Sequence, residues 1–176
     1  MKVILYMAIS VNGLITDASG ETPWCESVWE RYKKTLQHAG CLIVGRRTHE
    51  IMDKIGEYEK LAVKRVVVLA KSRLELPPGM TAADDPDQAI AELEAEGFAE
   101  VVVGGGAETN KAFLEAGLVD EICLDIEPFL FGRGLPLLQG AGLNLNLRLV
   151  GVDRYAENSL GVRYLVLPSS KSGPRT

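Results

Sequence analysis

Val101-Val102-Val103-Gly104-Gly105-Gly106-Ala107-Glu108-Thr109 decides the fold class of this 176-residue chain. A short β-branched run stops at three glycines, and a helix-forming segment follows through Lys111, Ala112, Phe113 and Leu114 to Gly117. Such a run suits a strand buried on both faces. Glycine lacks Cβ, takes positive φ readily and lets another backbone or a ligand approach. A strand that ends in glycines at a helix N-terminus presents unpaired N–H groups and a positive dipole end, which together make an anion site. The alternative is a tight strand-to-helix turn that binds nothing, since the spacing is neither a P-loop nor G-x-G-x-x-G.

Other apolar runs end in similar loops. Cys41-Leu42-Ile43-Val44 leads into Gly45-Arg46-Arg47-Thr48-His49-Glu50, which opens a short helix through Ile51 and Met52. Arg65 to Leu69 leads into Ala70-Lys71-Ser72-Arg73. Val3 to Ile9 reads as a central strand, followed by the turn Ser10-Val11-Asn12-Gly13, and Leu14-Ile15 resumes an extended segment. From Glu26 to about His38 the period is helical, with Trp29, Tyr32 or Lys33, and Leu36 near one face and Gly40 as the stop. Asp85 and Pro86 read as N-cap and first residue of a helix that runs to about Glu96. Val119 to Ile126 is a further strand, and the alternating segments 145–150 and 161–166 form a terminal hairpin. The pattern predicts an α/β sheet, parallel in the middle and antiparallel at one edge, with ligands at the carboxyl ends of the strands. It spans one domain over residues 1–168, and the polar stretch 169–176 reads as a flexible tail.

Hydrophobic content of 47%, charged content of 24% and a formal net charge of −5 are those of a soluble globular protein and argue against nucleic acid as the main partner. No apolar run approaches membrane-spanning length, and Met1-Lys2-Val3-Ile4-Leu5-Tyr6 reads as a strand rather than a signal peptide. Cys25, Cys41 and Cys123 lack metal-ligand spacing, so free thiols in a reducing cytoplasm are expected. His38 and His49 stand far apart without neighbouring ligands, so no metal site is expected.

Arg46, Arg47, Lys71 and Arg73 converge if their strands are neighbours, and Thr48 and Ser72 add hydroxyls. Arginine binds phosphate bidentately, and the glycine turn offers a second anion site through backbone N–H groups. That pairing fits a dinucleotide with a pyrophosphate and a 2′-phosphate, NADPH. The alternative is four solvated surface charges.

Six stretches then occur in order: Ser10-Val11-Asn12-Gly13-Leu14-Ile15, Gly20-Glu21-Thr22-Pro23-Trp24, Gly45-Arg46-Arg47-Thr48-His49-Glu50, Val103-Gly104-Gly105-Gly106, Gly117-Leu118-Val119-Asp120-Glu121-Ile122 and Pro128-Phe129-Leu130-Phe131-Gly132. The chain resembles the dihydrofolate-reductase-like superfamily, and most of all the reductase domain of the riboflavin-pathway bifunctional deaminase/reductase and its stand-alone relatives. The resemblance covers roughly residues 1–167. It implies a three-layer α/β/α fold and an NADPH cofactor. Ala8 and Ile15 would border the nicotinamide. Gly45, Arg46 and Thr48 would hold phosphates, and Lys71, Ser72 and Arg73 would surround the 2′-phosphate. Gly104, Gly105, Gly106, Ala107, Glu108 and Thr109 would pass under the pyrophosphate. Asn12, Trp24 and Glu127 would face the substrate. A homodimer is the implied assembly.

Two departures bear on the substrate. Riboflavin reductases usually carry Ser-x-Asp-Gly after the first strand, where this chain has Asn12, and an acidic residue where it has Gly104. Folate reductases place a carboxylate on the first helix; the matching position falls near Ser27 or Val28, with Glu26 and Glu30 close by as candidate proton donors. The expected activity is NADPH-dependent reduction of a small planar nitrogen heterocycle. A dihydrofolate reductase and a catalytically silent NADPH-binding module stand as alternatives. His49 is expected to pack, and Cys25 to line the pocket.

Overall fold

The computed structural model describes residues 1–72, 74–140 and 142–168. The expectations for Arg73 and for a tail over 169–176 lie outside these residues. Eight strands make one sheet: β1 (Lys2–Ser10), β2 (Cys41–Gly45), β3 (Arg65–Leu69), β4 (Met80–Ala83), β5 (Glu100–Val103), β6 (Glu121–Glu127), β7 (Leu147–Ala156) and β8 (Ser159–Val166). Their order is β4-β3-β2-β5-β1-β6-β8-β7. The first six are parallel, and β8 and β7 close the edge as an antiparallel hairpin. This is the mixed, mostly parallel sheet that the sequence pattern predicts.

Strand alternation sorts the core into two layers. Leu5, Ile43, Val101 and Val103 pack with Ala89 and Leu93 of α4 (Pro86–Ala95) and Phe113 of α5 (Ala107–Glu115). Ile4, Tyr6, Leu42 and Val102 face the other way, against Leu36 of α1 (Glu26–Ala39), Met52 of α2 (Arg46–Lys54) and Leu61 of α3 (Glu57–Leu61). Cover on both faces is why the central strands read as unbroken apolar runs.

Local signals hold at the helix ends. α1 stops at Gly40, whose left-handed φ of 78° lets its N–H reach Leu36 O. α4 starts at Asp85, which accepts from the Gln88 N–H, with Pro86 next. α3 and β4 go beyond the sequence pattern, being too short to show a period. β4 forms because β3 offers an open edge, pairing Val66 with Met80 through Leu69 with Ala83. Leu14, expected in an extended segment, makes only an isolated bridge to Pro136.

Candidate functional site

β2 and β5 are neighbours, paired at Leu42 with Val102 and Ile43 with Val103. The helices that follow them leave on opposite faces of the sheet, α2 with Met52 in one core layer and α5 with Phe113 in the other. Such a switch point opens a crevice beyond the carboxyl ends of the strands. The Gly104 N–H donates to Ile43 O (2.9 Å) and the Gly45 N–H to Gly105 O (2.8 Å), so the two tips are stitched together. Gly105 holds φ at 88°, and a Cβ there would lie 2.8 Å from Met7 Sδ. Only glycine fits.

α2 begins at Gly45 and α5 at Gly106, and neither has a side-chain cap. The first-turn N–H groups of Arg46, Arg47 and Thr48, and of Ala107, Glu108 and Thr109, are therefore left without intrahelical acceptors at two adjacent strand tips. Thr48 Oγ1 stands beside Gly106, and Thr109 Oγ1 packs on Gly45. β3 ends next to β2, with Leu69 opposite Gly45. Across that gap the Arg46 guanidinium donates to Ser72 O (3.0 Å) and to the Ser72 hydroxyl. Lys71 is exposed in the same turn. Among the described residues, Gly45, Arg46, Thr48, Ser72, Gly105, Gly106 and Thr109 thus stand at neighbouring strand tips. Asn110 adds a polar group that no sequence motif signals. It is fully buried, donates to Leu137 O (3.1 Å), and its Oδ1 has no partner. That oxygen lies 3.7 Å from where a Cβ at Gly105 would sit. Two uncapped helix starts, a guanidinium and an orphaned acceptor fit a group with an anionic centre and hydroxyl or amide donors beside it, as NADPH has.

The side expected to face a substrate differs more from expectation. Ala8 is half-buried on β1, paired with Asp125, and Ile15 is buried with Ile9 and Ala107. Trp24 packs against Phe129 and Phe131 with ring centroids 6.0 and 6.1 Å away. Three expectations need correction. Glu26 and Glu30 lie on the side of α1 away from Val28, Leu36 and Ala39, because a helix turns 100° per residue; Glu30 pairs with Lys33 (3.1 Å). Neither faces the sheet as a proton donor. Asn12 clasps its own chain: Nδ2 donates to Phe131 O (2.7 Å) and Oδ1 accepts from the Phe131 N–H (3.2 Å) and the Ser10 hydroxyl (2.9 Å). Only an amide does both, so the asparagine in the aspartate place is structural. Glu127 is fully buried and accepts from the Cys25 N–H (2.9 Å) and the Tyr155 hydroxyl (2.7 Å). It ties the start of α1 to β6 and β7 instead of meeting a ligand. Burial opposes its ionisation, but hydrogen bonds from Ser159, Cys25 and Tyr155 outweigh that and hold its carboxyl below the usual range.

Arg31 and Tyr32 carry what the sequence reading missed. Arg31 Nε donates to buried Asp125 (3.1 Å), Nη1 to Asp153 (2.7 Å), and its guanidinium lies 4.4 Å from the Tyr155 ring centroid. Tyr6 donates to the other oxygen of Asp125. Burial raises the Asp125 pKa, and Tyr6 and Arg31 pull it back only in part. Tyr32 stacks edge-on with Trp29 (6.5 Å) and tilted on Tyr6 (5.4 Å), and its hydroxyl fills the space that a Cβ at Gly104 would need. Its inward position follows from the spacing with Val28 and Leu36; its partner, 72 residues away in sequence, does not. His49 is buried with Nδ1 3.0 Å from the Tyr58 hydroxyl, and Cys25 is a half-buried free thiol. Among the described residues, no group of three or more His, Cys, Asp or Glu could hold a metal, and no helix is long and apolar enough to cross a membrane.

Comparison with known proteins agrees with this architecture. The uncharacterized protein YwjB of Bacillus subtilis is 25% identical over 162 residues, 89% of this chain and 93% of its own. A pyrimidine reductase-like protein from Corynebacterium diphtheriae superposes with a TM-score of 0.78 at 15% identity, covering 96% of this chain and 92% of its own. A diaminohydroxyphosphoribosylaminopyrimidine deaminase/5-amino-6-(5-phosphoribosylamino)uracil reductase from Thermotoga maritima gives 0.74 at 19% identity, over 94% of this chain and 56% of its own. These two likenesses are of fold. The sequence pattern of the RibD C-terminal domain matches residues 1–160, and the chain belongs to the RibD C-terminal domain family.

Proposed function

We propose that the chain is an NADPH-dependent reductase of a small planar nitrogen heterocycle, of the ribosylaminopyrimidine phosphate type. The observation that carries this reading is the meeting of two uncapped helix starts, at Gly45 and Gly106, on adjacent strand tips beside Arg46. Each start is worth roughly half a positive charge and several free N–H donors, which suits a pyrophosphate. Arg46 is turned toward Ser72, and Lys71 stands in the same turn, which suits a 2′-phosphate. Bound there, the reduced nicotinamide supplies a hydride. The residues of the chain bind, orient and exclude water, and with Glu26 and Glu30 turned away the proton comes from water.

The test is titration of the purified protein with NADPH and NADH, then of Arg46→Ala/Lys71→Ala. A charge-assisted hydrogen bond contributes about 1.5–3 kcal/mol and an exposed ion pair about 0.2–1 kcal/mol. NADPH affinity should fall about 20- to 900-fold while NADH affinity barely moves. Equal, weak binding of both by the wild type contradicts the reading. Turnover of dihydrofolate would favour a folate reductase. NADPH binding without turnover of pyrimidine or pterin would leave a nucleotide-binding module, a reading favoured by the missing carboxylates at Asn12 and Gly104.

We also propose that the chain pairs with a second copy through the β7–β8 hairpin. Leu147, Leu149, Val152 and Leu160 lie on one face there, 41–58% exposed, next to Val150 in a bulge. Together they expose roughly 400 Å² of apolar surface, the size of the largest patch on a typical monomer, which is often functional. A standard dimer buries about 800 Å² per partner around such a centre. On that face Arg154 bonds the carbonyls of Ala156 and Glu157, and the one acid of the two strands, Asp153, points to the opposite face and pairs with Arg31, so two copies meet without repulsion between acids.

A further inference from the structure

We propose that the Tyr32 hydroxyl is the group that selects the substrate, donating a hydrogen bond to a carbonyl oxygen or unprotonated ring nitrogen at the floor of the crevice. This rests on the reductase reading above. Gly104 follows β5 directly, two residues before the N-cap of α5, so under the nucleotide reading above a side chain there would lie at the strand tip beside the cofactor. In this chain none can: a Cβ at 104 would overlap the Tyr32 hydroxyl and come within 2.9 Å of Leu42 Cδ1. The phenol therefore occupies the place of a side chain at 104. Its ring is fixed between Trp29 and Tyr6, so the hydroxyl has little freedom to leave.

Among the described residues nothing donates to or accepts from that hydroxyl. Burial raises its pKa, and Tyr58 and Glu57 of α3 raise it further; Tyr6 is the titratable neighbour on β1. It keeps its proton across the working pH range. A carboxylate at this place only accepts, and so favours amino groups and cations. A neutral phenol donates, and so favours a carbonyl or bare ring nitrogen. The other candidates for this role are spent: Asn12 on Phe131, Glu127 on Cys25 and Tyr155, and Glu26 and Glu30 on the far side of α1.

The experiment has two arms on the full chain. Thermal melts of Gly104→Ala, Gly104→Asp, Tyr32→Phe and the double variant Tyr32→Phe/Gly104→Asp test the geometry without any ligand. Both single Gly104 variants should melt lower, and removing the hydroxyl should restore much of what Gly104→Asp loses. With NADP+ saturating, so that no hydride is transferred, tryptophan fluorescence is then titrated with 5-amino-6-(5-phosphoribosylamino)uracil. Tyr32→Phe should bind this pyrimidine about 10-fold more weakly, with unchanged affinity for NADPH. Turnover by the wild type should be flat between about pH 6 and 9, and Tyr32→Phe/Gly104→Asp should acquire an acid limb. Independent melting effects of positions 32 and 104, equal pyrimidine affinity in Tyr32→Phe, or no pyrimidine binding by NADP+-loaded wild type would each overturn the assignment. Failure of the reductase reading shows separately, as wild type that does not bind NADPH.

Discussion

Replacing Glu127 tests how the start of α1 is held. The carboxylate is fully buried and receives the Cys25 N–H at 2.9 Å and the Tyr155 hydroxyl at 2.7 Å. Hydrogen bonds to a charged partner contribute about 1.5–3 kcal/mol each, and the donors left behind would be buried and unpaired. Glu127→Ala should therefore cost about 3–5 kcal/mol, a large part of the roughly 5–15 kcal/mol that stabilises a typical domain. With a urea dependence of about 2 kcal/mol per molar, the denaturation midpoint should fall by roughly 2 M. Glu127→Gln keeps one acceptor and should lose about half as much. Acid separates this carboxylate from mere packing. Its folded pKa lies below the ordinary 4.5, so its contribution is complete above that value and disappears as pH falls through the folded pKa. The gap between wild type and Glu127→Gln should then be constant from pH 7 to about 5 and close below 4.5. Asp125 works in the opposite sense: burial raises its pKa, so protonation on acidification favours the folded state. A loss under about 1 kcal/mol in Glu127→Ala, or a gap that does not close in acid, would refute this account.

Asn12→Asp should cost about 1 kcal/mol, lowering Tm by about 2–4 °C, because a carboxylate cannot donate to Phe131 O; an unchanged melt would show that the clasp is slack. Val152→Glu with Leu149→Glu should convert a dimer to a 19.1 kDa monomer by light scattering, while Ile51→Glu on α2 should not. Hydrogen exchange of the wild type checks the same surface without mutation: protection of residues 147–152 should rise with protein concentration.

Features set by near neighbours in the chain were legible from residue order. The β-branched runs, the stops at Gly40 and Gly117 and the Asp85-Pro86 start are local, and backbone sterics and capping act over a few residues. Parallel order in the centre and a hairpin at the edge also followed, because hydrophobic period separates buried strands from half-covered ones. The cationic loops and glycine turn were visible as a set because they terminate adjacent strands. α3 and β4 were invisible, since neither is long enough for a period and β4 exists only against the edge of β3.

Side-chain roles around the candidate site were decided only in three dimensions. Residue type alone made Glu26, Glu30, Asn12 and Glu127 candidates for chemistry, since each carries a carboxylate or amide. Which way such a group points depends on helix phase, where one position means 100°, and on partners more than a hundred residues away: Asn12 meets Phe131, and Glu127 meets Cys25. Tyr32 likewise gains its place only because β5 brings Gly104 under α1. The order of residues determined the sheet and the loops at its strand tips, because those arise from short-range preferences repeated along the chain. Packing decided which polar groups remain free, because a hydrogen-bonding group is spent or available according to what the fold places within about 3 Å of it.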